Sequence, residues 1–191
     1  MIHSVAVYCG SSPGHDLKYP AIAWALGQLL AARGIRLVYG GGGVGMMGAV
    51  ANGVLEGGGV VTGVIPVFLN TRELKHDGVT DMRVVDTMHE RKQIMVTESD
   101  GFIALPGGFG TLDELFEVLT WSQLAIHDRP VGILNVDGYF DGILVTLDVM
   151  VERGFLRPED RDRVVAAETA EALLEAMSAR QVPETLKFTL A

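Results

Sequence analysis

Apolar residues are gathered along this chain into short, mostly unbroken runs. Val5-Ala6-Val7-Tyr8, Ile35 to Tyr39, Val60 to Ile65, Phe102 to Leu105 and Val131 to Leu134 each read as a buried strand, with Val164-Val165 a candidate last one. Longer stretches of helical period separate them. Pro20 to Arg33 carries Trp24, Leu26, Leu29 and Leu30 at near-helical spacing, with Pro20 in the first turn and Gly34 after the end. Further helices are expected from the glycine run near Gly48 to about Glu56, over Thr87 to Ser99, Thr111 to Ala125, Tyr139 to Arg153 and Thr169 to Ser178. Asn70 to Asp81 is polar, mixed in charge and without period, so it reads as a loop; a long loop in a compact fold is often functional, which places it near the active site.

Strands that alternate with helices and are apolar throughout are the mark of a parallel sheet covered on both faces. The expected fold is therefore α/β: a Rossmann-like, doubly wound parallel sheet in a single domain over residues 1–191, a length that usually makes one domain. In such sheets ligands sit beyond the carboxyl ends of the strands. Glycine clusters fall at those places: after the first strand, after the second and after the Phe102 strand.

Composition sharpens this. Of 24 glycines, 11 lie between Gly40 and Gly63 and three between Gly107 and Gly110, so they act as backbone devices at strand ends rather than as general flexibility. The net charge of −9 argues against duplex nucleic acid and anionic membranes as main partners. No run approaches the ~18 apolar residues of a membrane helix, and Met1 to Ser12 lacks the features of a signal peptide, so a cytoplasmic location is expected. One cysteine, Cys9, excludes an internal disulfide and a cysteine-based zinc site, and the five histidines lack ligand spacing, so neither metal nor cofactor is expected.

Gly43-Val44-Gly45-Met46-Met47-Gly48 formally matches GxGxxG between a strand and a helix. A dinucleotide site would also want a carboxylate at the end of the next strand, where Ile65-Pro66-Val67 offers none; close helix–strand packing accounts for part of the run. Pro106-Gly107-Gly108-Phe109-Gly110-Thr111-Leu112-Asp113-Glu114 also links a strand to a helix, and its N–H groups and the Thr111 hydroxyl suit phosphate or ribose oxygens. Thr111-x-x-Glu114 is at the same time a capping box, and spacing alone favours capping over catalysis for Glu114. Arg91 shares a helical face with Met88 and Met95, where a cation pairs either with a carboxylate of the protein or with a bound phosphate. His89 reads as a surface or core histidine. Glu114, Glu117 and Trp121 form one helical stripe, and Trp121 suits either the core or an interface.

These residues resemble a known family. Pro106 to Glu114 resembles the PGGxGTxxE signature of the LOG family of cytokinin-activating phosphoribohydrolases, often labelled lysine decarboxylases, and Met88-His-Glu-Arg-Lys92 resembles its second signature. Cys9 to Ser12, Val38 to Gly48, Gly63 to Pro66 and Leu119 to His127 fit the same pattern, and the similarity runs from about Val5 to Leu156. The resemblance implies hydrolysis of the N-glycosidic bond of N6-substituted adenosine 5′-monophosphates, and of AMP in many members, to free base and ribose 5-phosphate. It implies a homodimer, with Arg91 and Glu114 as the catalytic pair. Glu73, Arg91, Lys92, Gly107, Gly108, Phe109, Gly110, Thr111, Leu112, Asp113, Glu114 and Thr120 match its substrate-contacting positions. A pyridoxal-dependent decarboxylase would need a Schiff-base lysine, and of Lys18, Lys75, Lys92 and Lys187 only Lys92 lies in a motif. A nucleotide sensor that binds without turnover is the rival reading.

Overall fold

The computed structural model describes residues 2–71 and 74–180. Glu73 and Lys187 lie outside the described residues.

Seven strands form one wholly parallel sheet. In chain order they are β1 (Ser4–Tyr8), β2 (Arg36–Tyr39), β3 (Val61–Pro66), β4 (Asp81–Val85), β5 (Gly101–Ala104), β6 (Val131–Leu134) and β7 (Val164–Ala167). In space the order is β4-β3-β2-β1-β5-β6-β7. The chain winds outward from β1 through β2 and β3 to β4, then returns to the middle and winds the other way from β5. This reversal makes the carboxyl ends of β1 and β5 the point where the connections part and leave a crevice. Val5 pairs with both Leu37 of β2 and Gly101 of β5, so β1 is central and fully buried.

The helices are α1 (Lys18–Ala32), α2 (Gly45–Glu56), α3 (Met88–Thr97), α4 (Phe109–Gln123), α5 (Asp141–Glu152), the single turn α6 (Pro158–Arg161) and α7 (Ala170–Ala179). Alternation along the strands decides which helices each face meets. Val5, Val7, Leu37 and Ile103 pack against Leu26 and Leu30 of α1, Val50 and Val54 of α2, and Leu173 and Met177 of α7. Ala6, Tyr8, Val38 and Phe102 pack on the opposite face against Met95 of α3, Leu115 and Val118 of α4, and Leu147 of α5. No described helix is long and apolar enough to cross a membrane.

Two expectations need correction. The strand β4 is not apparent in the apolar pattern, because its residues Asp81-Met-Arg-Val-Val85 are only partly buried at the sheet edge. Charged residues on an edge strand discourage pairing with another sheet, and they also hide the strand from a search for apolar runs. The helix expected from Thr111 begins two residues earlier, at Phe109, with Gly108 as its N-cap and no side-chain cap. Thr111 and Glu114 therefore stand inside the helix and form no capping box. A capping box does open α3, where Thr87 Oγ1 accepts from the Glu90 N–H at 3.1 Å and Glu90 accepts from the Thr87 N–H at 3.3 Å.

Candidate active site

The sheet reversal carries a cavity of about 410 Å³. Cys9, Gly10 and Ser11 after β1, Gly40 and Gly42 after β2, Ile65 of β3, Arg91 of α3 and the start of α4 from Gly108 to Thr111 line it, with Glu114. Leu69 and Leu74 close another side. The stretch read as a loop thus supplies one wall, held down by backbone bonds from Gly43 N–H to Leu74 O at 2.7 Å and from His76 N–H to Gly41 O at 2.9 Å.

Two charged side chains meet at the cavity wall. Arg91 Nη1 lies 2.7 Å from Glu114 Oε1, and the side chains are only 10% and 7% exposed. Arg91 Nε also donates to the carbonyl of Val64 on β3 at 3.2 Å. Of the two outcomes weighed for Arg91, the structure shows the first, a pairing with a carboxylate of the protein, and that carboxylate is Glu114. Burial pushes the Glu114 carboxyl above its ordinary value, and the opposing pull of Arg91 does not bring it back. A carboxyl raised in this way is better matched to accepting and giving up a proton than an ordinary exposed glutamate. Cys9 lines the same cavity, but burial pushes its thiol far up, so it stays protonated and is no nucleophile.

The glycines do two different jobs here. In the GxGxxG run they are demanded by the protein itself: a Cβ on Gly45, whose φ is +62°, would lie 2.1 Å from Ser11 O, and one on Gly48 would lie 2.3 Å from Gly43 O. The run is a packing device between a strand and a helix. Gly108 and Gly110 are the opposite case, for a Cβ on either would meet nothing within 4 Å. They leave open space at the N-terminus of α4, on the cavity wall. The first N–H groups of a helix have no carbonyl within it to bond, and the helix dipole there favours an anion. Next to this loop, Tyr139 Oη donates to Gly107 O at 2.7 Å and braces the turn.

Of the sequence-predicted site residues, Arg91, Gly108, Phe109, Gly110, Thr111 and Glu114 come together in the cavity. Gly107 lines an adjoining cavity of about 330 Å³ with Ser12, Tyr19 and Tyr139. Lys92 turns away from Arg91, because neighbours on a helix do not share a face. Its ammonium is held by Asp113 at 3.1 Å and Glu117 at 3.0 Å, in an open groove between α3 and α4 that His89 and Trp121 also line. Leu112, Asp113 and Thr120 line a shallow depression on the outer side of α4. His89 is a surface residue and Trp121 is half-buried against the core. Sequence reasoning did not single out Gly40, Leu69 or Leu74 as cavity residues; the four-glycine run was the available signal for Gly40.

Residues 47–177 match the protein-family model described as "Possible lysine decarboxylase". A rice protein (Oryza sativa subsp. japonica) named "Probable cytokinin riboside 5'-monophosphate phosphoribohydrolase" is 55% identical over 170 residues, covering 89% of this chain and 69% of that one. A cytokinin riboside 5'-monophosphate phosphoribohydrolase of Arabidopsis thaliana is 51% identical over 171 residues, covering 90% of this chain and 80% of its own. The chain belongs to the LOG family. Among solved structures, the molybdenum cofactor binding protein of Rippkaea orientalis superposes with a TM-score of 0.67 at 26% identity, covering 92% of this chain and 94% of that one. The LOG fold is thus shared with a cofactor-binding protein, so fold alone does not select a ligand.

The decarboxylase label of the LOG family model finds little in this cavity. Among the described residues, no lysine lines it. Burial works to lower the Lys92 ammonium, but its bonds to Glu117 and Asp113 hold it above its ordinary value, the reverse of what a Schiff-base lysine needs.

Proposed function

We propose that this protein is a phosphoribohydrolase that cleaves the N-glycosidic bond of N6-substituted adenosine 5′-monophosphates, with AMP as a further substrate, to give the free base and ribose 5-phosphate. The buried Arg91–Glu114 pair, set in a cavity beside an open helix N-terminus, is the observation that carries this reading. The names of the relatives agree with it.

The chemistry follows from the residues. The 5′-phosphate binds at the first N–H groups of α4, on Phe109, Gly110 and Thr111, where the helix dipole assists. Glu114 lies four residues beyond Gly110, about 6 Å along the helix axis. That offset suits a carboxylate placed near the anomeric carbon of a ribose anchored by its phosphate. As the bond from C1′ to the purine breaks, its electron pair leaves with the base and positive charge grows on the sugar. The Glu114 carboxylate stabilises that charge and takes a proton from the water whose oxygen bonds to C1′; the departing purine takes up a proton from solvent, and Glu114 returns its own to solvent, so the protons balance. Arg91 fixes the carboxylate in place and opposes, without cancelling, the effect of burial on its ionisation. Gly107, Gly108, Phe109, Gly110 and Thr111 hold the phosphate; Lys92, Leu112, Asp113 and Thr120 belong to the adjoining surface of α3 and α4. The apolar side of the cavity, with Leu69 and Leu74, receives the base.

We also propose that the chain is one domain, works in the cytoplasm, where nucleotide monophosphates are held, and forms a homodimer without nucleic acid or membrane partners. Support for a dimer comes from the open groove of about 690 Å³ between α3 and α4 and from α5, whose Val145 and Val149 are exposed. A monomer mass by light scattering would count against it.

The deciding experiment incubates the protein with AMP and with isopentenyladenosine monophosphate and measures free base and ribose 5-phosphate. Release of both products from either nucleotide is expected. Binding of nucleotide with no release would overturn the hydrolase and favour a sensor.

A further inference from the structure

We propose that Gly40 is a positioning residue, whose missing side chain is the slot that holds the Arg91 guanidinium against Glu114. The inference rests on Arg91 and Glu114 as the working pair and assigns a role to a residue that lies outside both signatures.

β2 ends at Tyr39, and Gly40 is the first residue beyond it. A Cβ built there would lie 2.1 Å from Arg91 Nη2 and 3.1 Å from its Cζ, with Met47 Sδ at 3.1 Å as the third neighbour. All three atoms belong to flexible side chains. Gly40 is also absent from the glycines with positive φ, so alanine fits its backbone without strain. What must yield to a methyl group is therefore the guanidinium, not the chain. On its other edges the guanidinium is already fixed, Nε by Val64 O and Nη1 by Glu114. Gly40 from β2, Val64 from β3 and Glu114 from α4 thus set its plane from three directions. The neighbouring glycine is required for another reason: Gly41 has φ +77° and a Cβ there would press on Ile65 at 2.9 Å.

The test is a double-mutant cycle of Gly40→Ala, Arg91→Ala and the pair. In Gly40→Ala, kcat should fall about 10- to 100-fold through misplacement of the pair, with KM changed by less than about threefold. The acid limb of its pH profile should move to higher pH, because Glu114 loses the contact that opposes burial. In the Arg91→Ala background the same substitution should cause no further loss. A fully additive loss would overturn the proposal.

A readout independent of turnover is the titration of Glu114 followed by carboxyl NMR. It should move upward in Gly40→Ala, and an unmoved titration overturns the proposal even if activity falls. Should Gly40→Ala fail to fold while Arg91→Ala folds, the double variant, which lacks the clashing guanidinium, should fold; its failure would show that Gly40 packs against something else and would overturn the proposal. If the unmodified protein hydrolyses neither nucleotide, the hydrolase reading falls while the NMR titration still decides the role of Gly40.

Discussion

Arg91 Nη1 and Glu114 Oε1 stand 2.7 Å apart, although 23 residues separate them and they come from different helices on one face of the sheet. Each buried charge is the other's main compensation, which makes the pair costly to break from either side. Glu114→Gln keeps an oxygen that can accept from Arg91 but removes the charge. Turnover should fall by about 10²–10⁴-fold, the usual worth of a positioned acid–base group. The fold should survive without a large change in stability, since the guanidinium keeps an accepting oxygen and the neutral amide avoids the cost of burying the charge. No cap is lost, because Glu114 caps nothing. Thermal melting and product release measure the two effects, and undiminished turnover would remove Glu114 from the mechanism.

The pH dependence follows from the raised Glu114 carboxyl. Hydrolysis that needs the carboxylate should fail on the acid side at a pH above the ~4.3 of an ordinary glutamic acid. Stability runs the other way. The folded protein holds this proton more tightly than the unfolded chain does, so ionising Glu114 costs stability as pH rises from the unfolded value through the folded one. In the Glu114→Gln variant this contribution should vanish. Denaturant melts of both proteins across that window, with the pH profile of kcat/KM, check the opposite signs.

Much of this architecture is written in the apolar pattern. β1, β3, β5 and β6 are buried along their whole length, so continuous apolar runs mark them within a residue or so. β4 escapes because an edge strand needs little burial and carries charge, and the α4 boundary is displaced because a glycine N-cap leaves no side-chain signal. The site divides in the same way. Arg91 and Glu114 stand out by motif, but their pairing depends on how α3 and α4 lie over the sheet, which no local pattern encodes. The divergence of Lys92 from Arg91 could have been read from helix periodicity, since consecutive residues point about 100° apart. The role of Gly40 is a contact across three elements, so it emerges only from the assembled sheet.

Thr87 tests how the start of α3 supports the site. Its hydroxyl caps the helix one turn before Arg91. Thr87→Ala should cost about 1 kcal/mol, the ordinary worth of an N-cap, or roughly 2–4 °C in melting temperature for a chain of this size. Thr87→Ser should restore it. Equal melting temperatures for the alanine and serine variants would show that the cap contributes nothing.

The crossing of α1 and α2 gives a prediction whose sign is decided by magnitudes. Gly27 and Gly53 sit where the two helices touch. A Cβ on Gly27 would lie 2.3 Å from Val50 O and 2.8 Å from Val54 N, and one on Gly53 would lie 2.1 Å from Trp24 O. On helix propensity alone, alanine in place of either glycine would stabilise by about 1 kcal/mol. These contacts, however, are with backbone atoms, which cannot rotate away as a side chain can. The helices must separate, and they would disturb the core that they share with the strand residues Val5, Leu37 and Val61. Overpacking of this kind costs about 1–3 kcal/mol or more, which outweighs the propensity gain. Gly27→Ala and Gly53→Ala should each lower the melting temperature, while Gly58→Ala, with nothing within 4 Å but φ at +74°, should lower it through backbone strain alone and leave the helix crossing in place. A rise in melting temperature for Gly27→Ala or Gly53→Ala would mean that the two helices do not touch at these residues.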